Sequence, residues 1–282
     1  MIDRLAIIGI GLLGGSVAKA ARAGGLAREI VGIGRDRTRL EPAVADGTLD
    51  RAVTDVRTGV VGADLIVLAA PVLVNERLLA ELWPVAEPAA VVTDVGSTKA
   101  GLARLAQQLA VSRPLAFVGS HPMAGSEQSG YGVARVDLFR AATVIVTPTE
   151  STELRALKLV TGFWESAGAR VATLDPETHD RVVAAISHLP HLVSDALVDA
   201  VTRFEPAAFA FAARGFKDTT RIAASDPTMW QEIFLGNREA LLDSLTAFRE
   251  ALDALEGLVK AGDPARLEAA LRDIKRVREA VR

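Results

Sequence analysis

The chain has 282 residues, half of them hydrophobic, so it can form one large or two medium domains with a substantial core. With 32 basic and 35 acidic side chains its formal net charge is -3, which provides neither a basic field for nucleic acid nor a polybasic anchor for membranes, and small-molecule partners are expected. The chain contains no cysteine, which excludes disulfides, thiolate catalysis and cysteine-ligated metals.

The N-terminus predicts no secretory leader. Residues 1–4 lead directly into an apolar run, without a charged region, a long hydrophobic region or a small-residue cleavage site. Apolar stretches elsewhere are interrupted by glycine, proline or charge before they reach the roughly 18 residues of a membrane span. We therefore expect a cytoplasmic protein that binds neither membranes nor nucleic acid.

The first elements follow the pattern of a βαβ unit that binds a dinucleotide. A short apolar run at residues 5–8 is typical of a strand buried on both faces, and the sequence Gly9-Ile-Gly-Leu-Leu-Gly14 follows it at once. Helix formers occupy residues 17–23, and a second strand is predicted at residues 29–33. A lone G-x-G-x-x-G also occurs in ordinary tight turns, but here strand, motif, helix and second strand are all in place.

Each residue of this motif has an expected role. Gly9 permits the tight turn, Gly11 lets the backbone approach a pyrophosphate, and Gly14 lets the helix pack against the strand. We expect these glycines, with the intervening Leu12 and Leu13, to bind the phosphates of NAD or NADP at the helix N-terminus.

The end of the second strand bears on the choice of cofactor. An acidic residue at this point binds the ribose 2'-hydroxyl of NAD, whereas this chain has Gly34-Arg35, with Asp36 one position late. A small residue followed by arginine suits a 2'-phosphate, so the pair favours NADP. NAD is the alternative if Arg35 instead stacks on the adenine or lies in solvent.

Strands and helices continue to alternate through the first part of the chain. Further strands are predicted at residues 63–70, 90–94, 115–118, 142–146 and 170–174, and helices at residues 75–82, 97–109 and 149–166. This alternation is typical of an α/β Rossmann-type doubly wound parallel sheet, and we assign residues 1–174 to a dinucleotide-binding domain. Pro71, which follows the strand at residues 63–70, is expected to line the cofactor site.

The pattern changes after residue 174. Asp175-Pro176 is a helix start, with an N-cap and a proline at the first helical position, and only helical patterns follow. The last two helices, at residues 237–258 and 264–281, carry leucines at helical spacing among many charges, as in a bundle or a dimer interface. We therefore expect an all-helical C-terminal substrate and dimerisation domain at residues 175–282, and a homodimer.

A histidine next to a strand end is the first catalytic candidate. The sequence Gly119-Ser-His-Pro122 is predicted to begin a polar loop directly after the strand at residues 115–118. Open α/β sheets bind ligands at the carboxyl ends of their strands, so His121 is well placed for catalysis. Ser97 and Lys99 follow the strand at residues 90–94 and should face the same crevice, although Ser97 could instead cap a helix.

The helical domain offers two further polar side chains on one helical face. Ser187 and His191 are four residues apart, and Pro190 should kink the helix between them. A metal site at His188-x-x-His191 is disfavoured because the adjacent carboxylate of a zinc-binding motif is missing. We expect His179 and His188 to be satisfied, half-buried histidines.

Arg221 lies in a second chemically dense stretch, near the middle of the helical domain. Its guanidinium could bind a substrate carboxylate through two parallel hydrogen bonds. A surface salt bridge with Asp218 or Asp226 is the alternative, and sequence spacing does not separate the two.

Several stretches together resemble the prephenate and arogenate dehydrogenases of tyrosine biosynthesis. The glycine-rich motif is common to dehydrogenases in general, whereas the later stretches are specific to this family. The resemblance spans nearly the whole chain and is carried by Gly9-Ile-Gly-Leu-Leu-Gly-Gly-Ser16, Asp94-Val-Gly-Ser-Thr-Lys99, Gly119-Ser-His-Pro-Met-Ala-Gly-Ser-Glu127, His179-Asp180, Ser187-His-Leu-Pro-His191, Gly215-Phe-Lys-Asp-Thr-Thr-Arg221 and Asp226-Pro-Thr-Met-Trp230.

The resemblance implies an NAD(P)-dependent oxidative decarboxylation of prephenate to 4-hydroxyphenylpyruvate, or of arogenate to tyrosine. It implies that His121 hydrogen-bonds the ring hydroxyl and draws off its proton while hydride leaves for the nicotinamide. Ser97 matches the serine that contacts the same hydroxyl and helps to seat the nicotinamide. Arg221 matches the arginine that binds a substrate carboxylate.

The resemblance also implies a set of residues around the substrate. Ser126, Ser187 and His191 match polar positions in the wall of the substrate pocket. The charged positions at the pocket mouth are matched by Glu127, Lys217 and Asp218, the last of them contributed across the dimer.

Rival readings differ in substrate, chemistry or class. The sequence leaves the choice between prephenate and arogenate open. 3-Hydroxyacid dehydrogenases also join a Rossmann domain to helices, but they use a helical lysine as acid and base, and the His-Pro stretch argues against them. A non-catalytic dinucleotide sensor would not need Ser97, His121 and Arg221 together. We expect no ACT or chorismate mutase domain, so any inhibition by tyrosine would act at the active site.

Overall fold

Six parallel strands form the central sheet of the protein, whose computed structural model describes residues 2–126 and 128–281. The strands are β1 (Ile2–Ile8), β2 (Ala27–Ile33), β3 (Arg51–Val53), β4 (Leu65–Leu68), β5 (Val91–Asp94) and β6 (Ala116–Phe117). Their spatial order is β3-β2-β1-β4-β5-β6, so the winding of the sheet reverses between β1 and β4. The sequence did not predict β3, whose three residues are too few to show a periodic pattern.

The sheet is buried because its strands are apolar on both faces. In β1, Leu5 and Ile7 pack into the core on one face, and Ala6 and Ile8 pack into the core on the other. These four side chains are at most 3% exposed. Alternate residues of a strand point in opposite directions, so a continuous apolar run needs cover on both sides. That cover comes from α1 (Leu12–Ala23), α2 (Arg37–Ala45), α3 (Val56–Gly59), α4 (Val72–Leu82), α5 (Ala100–Ser112) and α6 (Leu154–Ser166).

A second, three-stranded sheet carries His121. It contains β7 (Gly119–Pro122), β8 (Thr143–Thr147) and β9 (Arg170–Thr173), with β7 antiparallel and β9 parallel to β8. The expectation of a loop at residues 119–122 is therefore wrong. Ser120 is fully buried, where its hydroxyl accepts a hydrogen bond from Trp164 Nε1 at 3.0 Å. Local polarity suggested a loop because the pairing partner β8 lies well beyond the range of a local pattern.

The remainder of the chain is helical. Its helices are α7 (Pro176–Val183), α8 (Leu189–Phe204), α9 (Arg214–Thr220), α10 (Pro227–Gly236), α11 (Arg238–Ala261) and α12 (Pro264–Ala280), with short 3-10 segments at Pro206–Phe211 and Arg221–Ala224. Asp175 caps α7 by accepting a hydrogen bond from Thr178 N at 2.8 Å. The predicted order of a Rossmann-type sheet followed by helices is confirmed. Within the described segments of the chain, no helix is long and apolar enough to cross a membrane.

The junction between α7 and α8 is a π-helical turn at Ala184–His188. Pro190 lacks an N–H donor, and its ring would collide with the carbonyl of residue 186 in a regular helix. The wider π turn accommodates the proline, and such turns are frequent at functional sites. The irregularity predicted at Pro190 therefore takes the form of a widened turn that carries Ser187 and His188.

Candidate active site

A chain of hydrogen bonds joins His121 to a carboxylate in the helical domain. His121 Nδ1 lies 2.9 Å from His179 Nε2, and His179 Nδ1 lies 2.8 Å from Asp180 Oδ1. The two rings meet edge to face, with their centroids 5.1 Å apart. His121 is half-buried in β7, and His179 is fully buried in α7. The site therefore lies where the helical domain packs against the second sheet.

Asp180 also joins the two halves of the protein. Its Oδ1 accepts a hydrogen bond from Lys99 N at 2.8 Å, and its Oδ2 accepts one from Ala100 N at 2.9 Å. The carboxylate therefore caps the N-terminus of α5, a favourable position for a negative charge. Its backbone carbonyl accepts a hydrogen bond from Asn237 Nδ2 at 2.7 Å.

A buried ion pair lies under the His121 strand. Lys99 and Asp94 are both fully buried, and the Lys99 ammonium is in direct contact with the Asp94 carboxylate. The same ammonium donates to the carbonyl of Ser120 at 2.8 Å. Burial lowers the pKa of Lys99, and the charge of Asp94 opposes that shift. Lys99 was expected to face the crevice, but its side chain instead ties β5 to the backbone next to His121.

The surroundings of His121 favour its uncharged form. Burial holds its pKa well below the ordinary value of 6.5, and Lys99, His179 and His188 lower it further. A neutral imidazole has one N–H donor and one nitrogen lone pair. Since Nδ1 is bonded to His179, Nε2 is the nitrogen left for a ligand.

Ser97 lies half-buried in the turn between β5 and α5. The alternative that it caps a helix is wrong, because α5 begins at Ala100 and its first N–H groups are bonded to Asp180. The turn itself is held by Gly96 N, which donates to Asp94 Oδ2 at 2.8 Å. The predicted helix start at residue 97 is likewise three residues too early.

His191 and Ser187 belong to the helical wall. His191 is buried in α8 and stacks on Trp230, with ring centroids 3.5 Å apart and planes 17° apart. Its Nδ1 is buried without a hydrogen-bond partner in the described part of the chain, so it is a polar atom that a ligand could satisfy. Burial lowers the pKa of His191, and Asp195 opposes this. Ser187 is half-buried in the π turn.

The histidines that were expected to be structural differ from each other. His188 is buried and its Nδ1 lies 3.1 Å from Asn237 Nδ2, as a satisfied histidine should be. His179 is also satisfied, but its partner is His121, which sequence spacing did not reveal. The adjacent pair His179-Asp180 in the family motif was the available signal.

Three charged candidates lie on the surface of a single chain. Lys217 and Asp218 are exposed in α9, and Arg221 is exposed at the start of the 3-10 turn that follows this helix. Helix α9 and the 3-10 turn both pack against α8. The salt-bridge alternative for Arg221 does not match the geometry. Asp218 pairs with Arg214 at 3.6 Å, and Asp226 caps α10 by accepting from Thr228 N at 2.8 Å.

The loop after β7 carries Ser126, which is exposed and accepts a hydrogen bond from Gln128 N at 3.2 Å. Glu127 lies outside the described residues. Further along, Tyr131 donates to Asp46 Oδ2 at 2.6 Å, which anchors this loop on the nucleotide-binding half.

The glycine-rich turn has the geometry of a dinucleotide site. Gly9 has a φ of +99°, and a Cβ on Gly14 would lie 1.9 Å from the carbonyl oxygen of Gly9. A Cβ on Gly11 would meet open space, so this face of the turn is free for a ligand. The helix that begins at Leu12 has neither a side-chain cap nor an acid in its first turn. Its free N–H groups therefore fit a pyrophosphate.

The other predicted cofactor contacts lie at the ends of neighbouring strands. Leu13 is half-buried in the first turn of α1, and Pro71 is the N-cap of α4, three residues after β4 ends at Leu68. Gly34 and Arg35 follow β2, with Arg35 exposed. Asp36 caps α2 through Thr38 N at 2.9 Å, which commits that carboxylate to the helix.

Known proteins match the chain along most of its length. Residues 17–173 match the family model for the prephenate dehydrogenase nucleotide-binding domain, and residues 175–273 match the model for the prephenate dehydrogenase dimerization domain. The prephenate dehydrogenase of Bacillus subtilis is 36% identical over 267 residues, which cover 93% of this chain and 72% of that protein.

Two solved structures share the whole fold. The crystal structure of Aquifex aeolicus prephenate dehydrogenase in complex with hydroxyphenyl propionate and NAD+ has a TM-score of 0.92 and 34% identity, over 100% of this chain and 99% of that one. The crystal structure of Synechocystis arogenate dehydrogenase has a TM-score of 0.87 and 32% identity, over 98% of this chain and 99% of that one.

Proposed function

The chain belongs to the prephenate dehydrogenase family, and from that membership we propose that it catalyses the NAD(P)-dependent oxidative decarboxylation of prephenate to 4-hydroxyphenylpyruvate and CO2. The observation that carries the proposal is the position of the His121 imidazole, which is half-buried where the nucleotide-binding and helical halves meet and is hydrogen-bonded through Nδ1 to His179. Its surroundings lower its pKa and so favour the uncharged form. An uncharged imidazole can accept the proton of a ring hydroxyl, which an imidazolium cannot do.

In the proposed reaction, Nε2 of His121 accepts the proton of the ring C4 hydroxyl as hydride leaves C4. When bound, the nicotinamide supplies the hydride acceptor. The bond between the ring and its carboxylate then breaks, its electron pair completes the aromatic ring, and CO2 departs. The phenolate oxygen takes the proton back from His121, so the reaction consumes no base. Because aromatisation provides the driving force, the protein chiefly supplies orientation and one polarising group.

We propose roles for the other polar residues on the basis of their positions. Ser97, in the turn after β5, contacts the hydroxyl and the nicotinamide. Arg221 binds a substrate carboxylate with its planar guanidinium. Ser187 and His191 line the substrate wall, and the unsatisfied Nδ1 of His191 supports a ligand contact there.

The mouth of the pocket is proposed to carry charge. Lys217 and Asp218 are exposed in a single chain, which suits groups that meet substrate only at an entrance or in a dimer. Ser126 belongs to the loop that borders this entrance. Glu127 is assigned to the same region from the sequence alone.

The cofactor is NAD or NADP, as the match to a nucleotide-binding domain and the NAD+ complex of the Aquifex aeolicus relative support. We propose NADP as the preferred form, because Arg35 is exposed at the end of β2 and Asp36 is committed to its helix cap. The proposed phosphate contacts are Gly9, Gly11, Leu12, Leu13 and Gly14, with Gly34 and Pro71 beside the rest of the cofactor.

The protein is proposed to act as a homodimer built by its helical domain, which the match to a dimerization domain supports. Large apolar side chains are exposed along α11 and α12, including Val259 at 64% and Val277 at 70%, and a second copy would cover them. We place the domain division at residue 174, between the end of β9 at Thr173 and the start of α7 at Pro176. The cytoplasmic location stays a prediction from the sequence.

Arogenate is the second candidate substrate, because a structure of Synechocystis arogenate dehydrogenase has the same fold at 32% identity. A two-by-two assay tests both open specificities: prephenate and arogenate, each with NAD and NADP, followed by absorbance of the reduced cofactor. We expect the highest kcat/KM with prephenate and NADP. A higher value with arogenate would reassign the substrate, and no reduction of either cofactor with either substrate would refute the proposed function.

A further inference from the structure

We propose that His179, backed by Asp180, is a positioning residue that holds His121 in the tautomer whose Nε2 lone pair is free to accept the substrate proton. This inference rests on the proposed function, because it explains how His121 is prepared for its role as a base. Sequence spacing had assigned His179 to a structural role. Its contact with His121 at 2.9 Å gives it a chemical one.

The direction of the hydrogen-bond chain is determined at Asp180. Both carboxylate oxygens accept backbone N–H groups at the N-terminus of α5, from Lys99 and Ala100. These two bonds and the helix dipole stabilise the ionised carboxylate. An ionised carboxylate can only accept hydrogen bonds, so His179 Nδ1, at 2.8 Å from Oδ1, must carry a proton and donate it.

The next link follows from the neutrality of His179. With its proton on Nδ1, a neutral His179 has a lone pair on Nε2, and it accepts the N–H of His121 Nδ1. The lone pair of His121 is then on Nε2. The tautomer of an imidazole is generally set by the hydrogen bond that its other nitrogen makes.

The opposite direction would need a doubly protonated His179. Such an imidazolium would be a second buried cation beside the Lys99 ammonium, and His188 and His121 would face it as well. Two acidic groups lie among these bases: Asp94 is already paired with Lys99, and Asp180 is shared between His179 and the helix cap. The neutral form of His179 requires no further counter-charge.

The same chain has an effect during proton transfer. When His121 accepts a proton on Nε2 it becomes a cation, and its Nδ1–H bond to His179 strengthens. Asp180 lies one ring further on and stabilises that cation without itself taking a proton. A buried carboxylate acts in this way behind the histidine of the Ser-His-Asp triad.

The direct test is nuclear magnetic resonance of the full-length protein labelled with 15N-histidine. The chain has four histidines, so each resonance can be assigned by substituting one residue at a time. We expect His121 to show a protonated Nδ1 and an unprotonated Nε2 at neutral pH. A protonated Nε2 on His121 would overturn the proposal. This measurement needs no turnover, and once the resonances are assigned the tautomer is read from the unaltered protein.

Two conservative variants test the kinetic consequence. His179→Asn keeps an N–H donor near Asp180 but leaves His121 Nδ1 without an acceptor, so kcat should fall about a hundredfold with KM changed by less than about threefold. In His179→Gln the amide oxygen can still accept from His121 Nδ1, so kcat should recover to within about tenfold of the wild type. Asp175→Asn, a conservative change at the exposed N-cap of the same helix α7, should leave kcat within about twofold.

These outcomes distinguish a failure of the positioning role of His179 from a failure of the proposed dehydrogenase function. A His179→Asn enzyme with unchanged kcat, or equal losses in the Asn and Gln variants, would overturn the positioning role and indicate a packing role instead. A wild-type protein that reduces neither cofactor would refute the proposed function. In that case the 15N spectrum would still determine the direction of the chain.

Discussion

Acid should destabilise this protein through His188, and His188→Asn should remove that effect. His188 is 1% exposed, and burial lowers its pKa from 6.5 to about 4. Asn237 Nδ2 donates to its Nδ1, a bond that protonation of Nδ1 would abolish. Asparagine can offer its amide oxygen to Asn237 in the same place but cannot titrate.

The sign and size of the change in folding stability follow from the linkage between protonation of His188 and folding. Between about pH 4 and 6.5 the unfolded chain protonates this histidine and the folded protein does not, so the unfolded state binds more protons. The resulting loss of stability is absent above the pKa of His188 in the unfolded chain, and it grows as the pH falls towards the pKa of His188 in the folded protein. A shift from 6.5 to about 4 corresponds to about 3 kcal/mol, at about 1.4 kcal/mol per unit.

Urea unfolding between pH 4.5 and 7.5 measures this effect. Wild-type stability should fall steeply on acidification, with His121 and His191 adding to the slope because their pKa values are also lowered. His188→Asn should start about 1–2 kcal/mol lower at neutral pH, because it loses packing, and should then lose about 2–3 kcal/mol less than the wild type. Parallel stability profiles for the two proteins would refute the reasoning.

Three further substitutions test other parts of the structure. Arg221→Ala should raise the KM for substrate about 10- to 100-fold with little change in kcat. Arg214→Ala, which removes an exposed arginine from the preceding helix α9, should leave KM unchanged. Equal effects of the two substitutions in steady-state assays would contradict the carboxylate-binding role of Arg221. Lys99→Met leaves the Asp94 carboxylate buried without its cationic partner, so denaturant unfolding should show that the free energy of unfolding falls by about 3–5 kcal/mol. A fall of less than about 1 kcal/mol would contradict a buried charge at Asp94. Gly14→Ala places a Cβ 1.9 Å from the Gly9 carbonyl oxygen, so the glycine-rich turn must shift and dinucleotide binding, measured by titration, should be abolished. A normal affinity for the dinucleotide would exclude this turn as the phosphate site.

The strands of the main sheet were predictable because each is a short apolar run with its own local pattern. The glycine-rich turn was predictable for a related reason, since each of its glycines meets a requirement within the same βαβ unit. The edge strand β3 was not, because three residues show no periodicity. The strand β7 was misread because its polar residues are buried by partners elsewhere in the chain.

The histidine chain shows why a site is harder to predict than a fold. His121 and His179 are 58 residues apart, and Asp180 caps a helix that begins 80 residues earlier. Spacing along a helix relates a residue only to others on the same helix, so it could group Ser187 with His191 but not His179 with His121. Such contacts appear only when the two domains are packed together.

The central claim is that His121 takes the proton of the substrate hydroxyl, and His121→Asn tests it most directly. Asparagine keeps a polar group at the position of Nδ1 but leaves no base at the position of Nε2. With saturating cofactor, we predict that kcat falls about a hundredfold or more while the dissociation constant of the dinucleotide is unchanged. Unchanged turnover in this variant would contradict the account.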